Sequence, residues 1–246
     1  MTALGVDIGG SGIKGAPVDL AHGTLTAARM RIQTPLRSTP SAIGDIVAQL
    51  VNRHAWEGPV GITVPGVVRK GVVLTTGNLD DAWTGVDAVA LFSNAIQRRV
   101  SVLNDADSAG IAEARYGAGV GIGGVVLVLT FGTGIGSALL YNGTLVPNTE
   151  LGHLEFHGGT VEGYAAGRLV QRDSATIDWW AERVNEVLAY IETLLSPDRI
   201  IIGGGISRRF EEFSSLLNAT AEIVPAHLRN NAGIVGAALA AMEDAR

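Results

Sequence analysis

The chain has 246 residues, 33 of them Gly and none Cys; it is 47% hydrophobic, 17% charged and carries a formal net charge of −6. This composition can fill a core and excludes a disordered chain, while the missing cysteine excludes disulfides, thiolate zinc sites and Cys nucleophiles. The acidic balance argues against general nucleic-acid binding; with no leader-like start and no apolar run of membrane length, no membrane contact and a cytoplasmic location are expected.

In chain order, Leu4–Gly15 reads as an apolar strand running into a glycine turn, and Ala16–Leu20 as the returning strand. Pro40–Arg53 carries Ile43, Ile46, Val47 and Leu50 at helical spacing. Val60–Val64 is a short buried strand, Val86–Arg98 a helix, Val100–Leu103 a strand and Asp105–Arg115 an Ala-rich helix. Val126–Ser137 repeats the opening pattern, strand into glycine turn, and continues through Ala138–Asn142 to a second turn at Asn142-Gly143. Asp178–Leu195 sets Trp180, Val184, Val187, Leu188, Ile191 and Leu195 on one face and stops before Pro197. Arg199–Ile202 is a strand leading into Gly203–Gly205, and Ala232–Met242 a final apolar helix. Strands interleaved with helices predict an α/β fold. The two hairpin units, about 125 residues apart, predict two lobes of related design.

Three glycine-rich strand ends account for much of the glycine excess over the usual ~7%. Gly10–Gly15 matches G-x-G-x-x-G literally, but a strand follows where a dinucleotide site needs a helix, and no acid sits at the required distance. A plain tight hairpin and a phosphate-binding turn remain. Lys14, one of only two lysines among 18 basic residues, favours phosphate. Thr130–Ser137 and Gly203–Ser207 are the second and third candidate turns. Asn104-Asp105-Ala106-Asp107 sits where a strand ends and a helix begins, so it is either a helix cap or a carboxylate poised for chemistry. A helix N-terminus favours ionised Asp105, as an acceptor of a hydroxyl proton requires. Glu150–His157, with Glu162 close by, reads as a metal site, a loop with a core histidine, or a cluster for the hydroxyls of a polar ligand.

Together these segments resemble the ROK family of sugar kinases, in the actin-like ATPase superfamily, and within it the polyphosphate glucokinase and glucomannokinase subgroup. The likeness runs through Asp7–Ala16, Asn104–Gly110, Leu129–Ser137, Leu145–Glu155, Ile200–Ser207 and Val224–Gly236. It implies a two-lobed actin-like (ribonuclease H-like) α/β fold with the active site in the interdomain cleft. The N-terminal lobe would span 1–104 plus the returning helix at about 233–246, and the C-terminal lobe 105–232. It implies phosphorylation of glucose and mannose at the 6-hydroxyl, with inorganic polyphosphate and/or ATP as donor and Asp105 as general base. Asn104, Glu150, His153, Glu162, Asn78 and Gly66 would bind the sugar together with Asp105. Gly9, Gly10, Ser11, Gly12, Lys14, Thr133 and Gly134 would hold phosphates, and Gly203, Gly204 and Gly205 the nucleotide. Asp7 would face Mg²⁺ through water. Most of the family carries a cysteine-rich zinc motif where this chain has Phe156–Glu162, so no zinc is expected. A DNA-binding domain like that of family repressors is not expected either, and the resemblance allows a homodimer. A strictly ATP-dependent hexokinase and a catalytically silent sugar sensor are the rival readings.

Overall fold

Strand β1 (Thr2–Gly9) turns back at Gly10-Ser11 into β2 (Gly12–Asp19), paired in full antiparallel register from Thr2↔Asp19 to Gly9↔Gly12. Two short strands, β3 (Thr24–Leu25) and β4 (Met30–Ile32), both border β2. Helix α1 (Pro40–Arg53) starts at Thr39, whose side chain accepts from Ala42 N, with proline at its first position. Its predicted stripe buries Ile43, Val47 and Leu50. Strand β5 (Val60–Val64) is buried at every residue, as a strand covered on both faces must be. The small hairpin β6 (Val68–Arg69)–β7 (Val72–Val73) leads to α2 (Ala88–Ile96). This helix is shorter than predicted: Asp87 caps its start through Ala90 N, and Gln97 turns left-handed at φ 54 and ends it. Strand β8 (Val100–Asn104) then runs directly into α3 (Asp105–Tyr116).

The later elements repeat this plan. Strands β9 (Val125–Phe131) and β10 (Ile135–Tyr141) form a hairpin, and the Asn142-Gly143 turn, with φ of 49° and 75°, leads to β11 (Thr144–Val146). A second hairpin, β12 (Glu155–Phe156)–β13 (Gly159–Thr160), is followed by α4 (Val161–Ala165), α5 (Arg168–Arg172) and the long α6 (Ile177–Leu195). Then come β14 (Arg199–Gly203), the short α7 (Phe210–Phe213) and β15 (Glu222–Pro225). One sheet has the order β3-β2-β1-β5-β8 and the other β11-β10-β9-β14-β15. In each, an antiparallel hairpin is extended by two parallel strands. The sequence echo is thus an echo of topology.

The computed structural model describes residues 1–77, 79–172 and 174–243. It divides within α3 into two units, Met1–Ala112 with Asn231–Arg246, and Glu113–Asn230. The core of the first is Leu4, Val6, Ile8, Ile43, Leu50, Ile62, Trp83 and Phe92 with their neighbours. The core of the second joins Leu127, Leu129, Phe131, Ile200 and Ile202 to the predicted face of α6, except that Leu195 is only partly buried. Glu113 is fully buried there; its carboxylate accepts from the amides of Ala118, His227 and Leu228 at 2.8–3.1 Å. A buried charge needs such partners.

The last helix, α8 (Ala232–Glu243), belongs to the first unit and packs on β1 and β5. Glycine makes that approach feasible. Gly5 and Gly61 are paired neighbours on β1 and β5, and a Cβ on either would lie 1.8 or 1.7 Å from the carbonyl oxygens of Ile234 and Ala237. A Cβ on Gly236 would lie 1.8 Å from Ser108 O on α3. Part of the glycine excess therefore docks a helix and binds no ligand.

Candidate functional site

In the first unit the glycine turn is a two-residue link braced from outside. Thr34 Oγ1 donates to Gly9 O at 2.5 Å, and Arg31 Nη2 donates to Ser11 O at 2.7 Å. None of Gly9, Gly10 and Gly12 has a positive φ. Gly12 is instead where the Arg31 guanidinium lies, 2.5–2.9 Å from the place of a Cβ. Behind the turn, Lys14 and Asp7 face each other in register and form an ion pair of 3.1 Å. The other Asp7 oxygen accepts from Thr63 Oγ1 at 3.2 Å, and Thr63 Oγ1 accepts from Ile8 N. Gly233, at the start of α8, leaves room against the Asp7 carboxylate, 3.0 Å from the position of its Cβ.

At the carboxyl end of β8, Asn104 is buried and its amide is engaged within the protein. Its Oδ1 accepts from Ala106 N and Asp107 N at 2.8 and 2.9 Å, and its Nδ2 donates to Gly66 O at 3.0 Å. This side chain caps α3 and ties the helix start to Gly66. Gly66 has φ 135°, and a Cβ there would lie 2.2 Å from Thr75 O, so only glycine fits. Asp105, half-buried, opens α3 with Oδ1 accepting from Ala106 N at 3.0 Å. The cap reading of this segment holds through Asn104, and the neighbouring Asp105 carboxylate is placed at the first turn of α3. Asn78 lies outside the described residues.

In the second unit the loop Gly132–Gly134 closes on itself through Gly132 N to Gly134 O at 3.0 Å. Arg168, at the start of α5, braces it: its backbone N donates to Gly132 O and its guanidinium to Thr133 O. Sequence reasoning missed Arg168 and Arg31 in this role; in both units an arginine donates to a carbonyl at the tip of a glycine turn. The third glycine motif lies beside the second. Gly203 pairs with Thr130, and Gly204, at φ 77°, approaches the Phe131 backbone too closely for any Cβ.

Glu162 reaches the same loop. Its Oε2 lies 2.3 Å from the position of a Gly134 Cβ, and Ile135 N donates to it at 3.4 Å. Glu150 and His153 are 3.8 Å apart, Oε2 to Nδ1, on the segment that follows Ser137. Ser137 is not free for phosphate: its hydroxyl donates to Thr149 O and accepts from Leu151 N, which fixes the Glu150 segment to β10. Burial pushes the Glu150 carboxyl above its ordinary range; His153 opposes this and the Glu162 charge adds to it. Glu150, His153 and Glu162 therefore form one electrostatic cluster beside the glycine loop.

Phe156–Glu162, where the resemblance implies a zinc motif in relatives, includes the turn of the β12–β13 hairpin at His157-Gly158, with φ of 50° and 75°. Phe156 packs on Tyr164 and Tyr190, with ring centroids 5.2 and 5.5 Å apart. His157 Nε2 and Tyr164 Oη both meet Glu186, at 2.9 and 2.7 Å. Among the described residues no group of three His, Asp or Glu could hold a metal ion. Aromatic packing on α6 thus holds the strand pair that follows His153.

Because Glu150 titrates above its ordinary value near 4.5, the neutral form is favoured by folding. Its stabilising contribution is present at low pH and lost as pH rises through the raised value. Glu150→Gln is therefore expected to raise the melting temperature at neutral pH. The gain should fade as the pH is lowered to about 4, where wild type is also uncharged. Thermal unfolding across pH checks this; an equal gain at all pH values would refute it.

Two topologically repeated α/β units, glycine turns at their hairpins and a carboxylate at the end of a parallel strand define a sugar-kinase fold of the actin and hexokinase type. The chain belongs to the ROK family, whose model matches residues 3–174. It is 48% identical to the polyphosphate glucokinase of Mycobacterium tuberculosis (strain CDC 1551 / Oshkosh), over 98% of this chain and 91% of that one. Among solved structures it is similar to the inorganic polyphosphate/ATP-glucomannokinase of Arthrobacter sp. strain KM, with TM-score 0.94 and 45% identity over 99% of this chain and 98% of that one. The ROK family glucokinase of Streptomyces griseus shares the fold, with TM-score 0.83 and 24% identity over 99% of this chain and 100% of that one.

Proposed function

We propose that the protein transfers a phosphoryl group from inorganic polyphosphate or ATP to the 6-hydroxyl of glucose, and of mannose, in the cytoplasm. The observation that carries this reading is the Asp105 carboxylate, held at the end of β8 by the Asn104 cap, in a chain so closely related to polyphosphate-using sugar kinases. Asp105 accepts the proton of the 6-hydroxyl as its oxygen bonds to phosphorus and the donor's P–O bond breaks. The helix N-terminus favours the ionised carboxylate that this step needs. Glu150, His153 and Glu162 offer acceptors and a donor for the other sugar hydroxyls. Lys14, the Gly9–Gly12 turn, Thr133 and Gly134 hold phosphate oxygens. Gly203–Gly205 receive the nucleoside when ATP is the donor.

The donor set around Asp7 suits Mg²⁺ at one remove. A single carboxylate with a neighbouring hydroxyl, both its oxygens already engaged, fits an ion that keeps its waters and binds chiefly to substrate phosphates. When bound, Mg²⁺ offsets charge on the phosphoryl oxygens.

A coupled assay with glucose and mannose, each with ATP and with polyphosphate, tests the reading. Turnover of glucose with either donor is expected, and failure of both donors with both sugars would refute it. Glu150→Gln should raise the KM for glucose about tenfold or more, the loss of a hydrogen bond to a charged group. An unchanged KM would remove Glu150 from the sugar site.

A further inference from the structure

Arg31 differs from Lys14, Arg209, Arg98 and Arg99, which a polyanion could also meet. Lys14 is compensated by Asp7, and Arg209 by Glu212 at 2.7 Å. Arg98 and Arg99 line a cavity of about 350 Å³ with Glu57 and Pro59, by the first residues of β5 and β8, at the sheet edge opposite Asp105. Arg31 is exposed, lies in no ion pair among the described residues, and sits on the phosphate turn itself.

We propose that Arg31 is a donor-specificity residue, whose guanidinium holds a phosphate of an inorganic polyphosphate chain beyond those held by Lys14 and the Gly9–Gly12 turn. The inference rests on the kinase reading above. Register supports it first. Asp7 pairs with Lys14 and Lys14 with Arg31, so the three form one row across β1, β2 and β4. Directly paired residues share a face, and each strand step is ~4.8 Å. The row leads away from the Asp7–Lys14 pair onto β4, which borders β2. Charge supports it next: after the Asp7–Lys14 pair cancels, Arg31 supplies the net positive charge of the row. Preorganisation is the third support. One Nη2 bond to Ser11 O and the missing side chain of Gly12 fix the guanidinium at the turn, with its other donors left for phosphate oxygens. A long polyphosphate presents charged phosphates all along such a row, whereas ATP gives way to a nucleoside after three.

Steady-state kinetics of Arg31→Gln and Arg31→Lys, with long-chain polyphosphate and with ATP, test this. Arg31→Gln should raise the KM for polyphosphate about tenfold or more, the range of one charge-assisted hydrogen bond. Its KM for ATP should rise several-fold less than its KM for polyphosphate, because the Ser11 brace that is lost with Arg31 acts on both donors alike. Arg31→Lys should fall between, keeping the charge without the fork. In wild type the polyphosphate KM should rise with salt more steeply than in Arg31→Gln. A KM that rises equally for both donors would leave Arg31 as a brace alone and overturn the proposal, as would an unchanged polyphosphate KM. A wild type that uses ATP but not polyphosphate would overturn the donor reading itself, and the inference with it.

Discussion

Asp105→Asn should leave glucose affinity nearly intact and cut turnover by at least ~10²-fold, the usual range of general-base catalysis. The substitution isolates the proton. An asparagine oxygen can still accept from Ala106 N, and the Asn104 bonds that cap α3 do not involve the altered atoms. The amide can also still meet the sugar hydroxyl, but it cannot take its proton. A ~10²-fold loss corresponds to about 2.7 kcal/mol of transition-state stabilisation. Calorimetric titration with glucose and single-turnover kinetics separate the two effects. Near-normal turnover would remove Asp105 from the chemistry, and loss of glucose binding would make it a binding residue first. Wild-type protein that binds glucose without ever phosphorylating it would favour the sensor reading.

Gly61→Ala should have the largest effect on stability. The new methyl would lie 1.7 Å from Ala237 O, a backbone atom in the middle of α8, so the helix must move off the sheet. Overpacking of this kind costs about 1–3 kcal/mol, partly offset by the ~0.4–1 kcal/mol gained when glycine becomes alanine in the unfolded chain. Gly61→Val should exceed that, and Gly5→Ala should resemble Gly61→Ala because the two glycines are paired neighbours beneath the same helix. Gly123→Ala is the control: its Cβ would meet only Asn142 Oδ1, at 3.7 Å. Its effect should stay within about 0.5 kcal/mol. Urea midpoints rank the set. If Gly61→Ala unfolds at the control's midpoint, the close packing of α8 on β5 is wrong.

Much of this was legible in the sequence because local signals agreed with one another. Thr39-Pro40 and the Ile43–Leu50 stripe define α1, and Asn142-Gly143 defines its turn, without tertiary help. The strand-turn-strand echo at Leu4–Gly15 and Val126–Ser137 pointed to two units of related design, and the two sheets share one topology. What escaped was long-range. Strands of two or three residues, such as β12 and β4, have no periodicity to read; they exist because β13 and β2 offer edges. Arg31 and Arg168 cannot be tied to a glycine turn by sequence spacing; the fold brings each there. Gly5, Gly61 and Gly236 carry no turn chemistry, and only the position of α8 explains them. Ser137 closes the second glycine motif in sequence, but only the fold shows that its hydroxyl holds the Glu150 segment.

The return of α8 to β1 also orders events in time. The ribosome releases β1 first, yet that strand's partner helix emerges only with residues 232–243. The unit Glu113–Asn230 is continuous in sequence and has its own core, so it is complete in the nascent chain while the earlier-made unit still waits. Until then the bare glycine patch of β1 and β5 has nothing over it. Released chains that end just before residue 232 should therefore hold a folded second unit beside an open first one, and those are the chains a chaperone would meet.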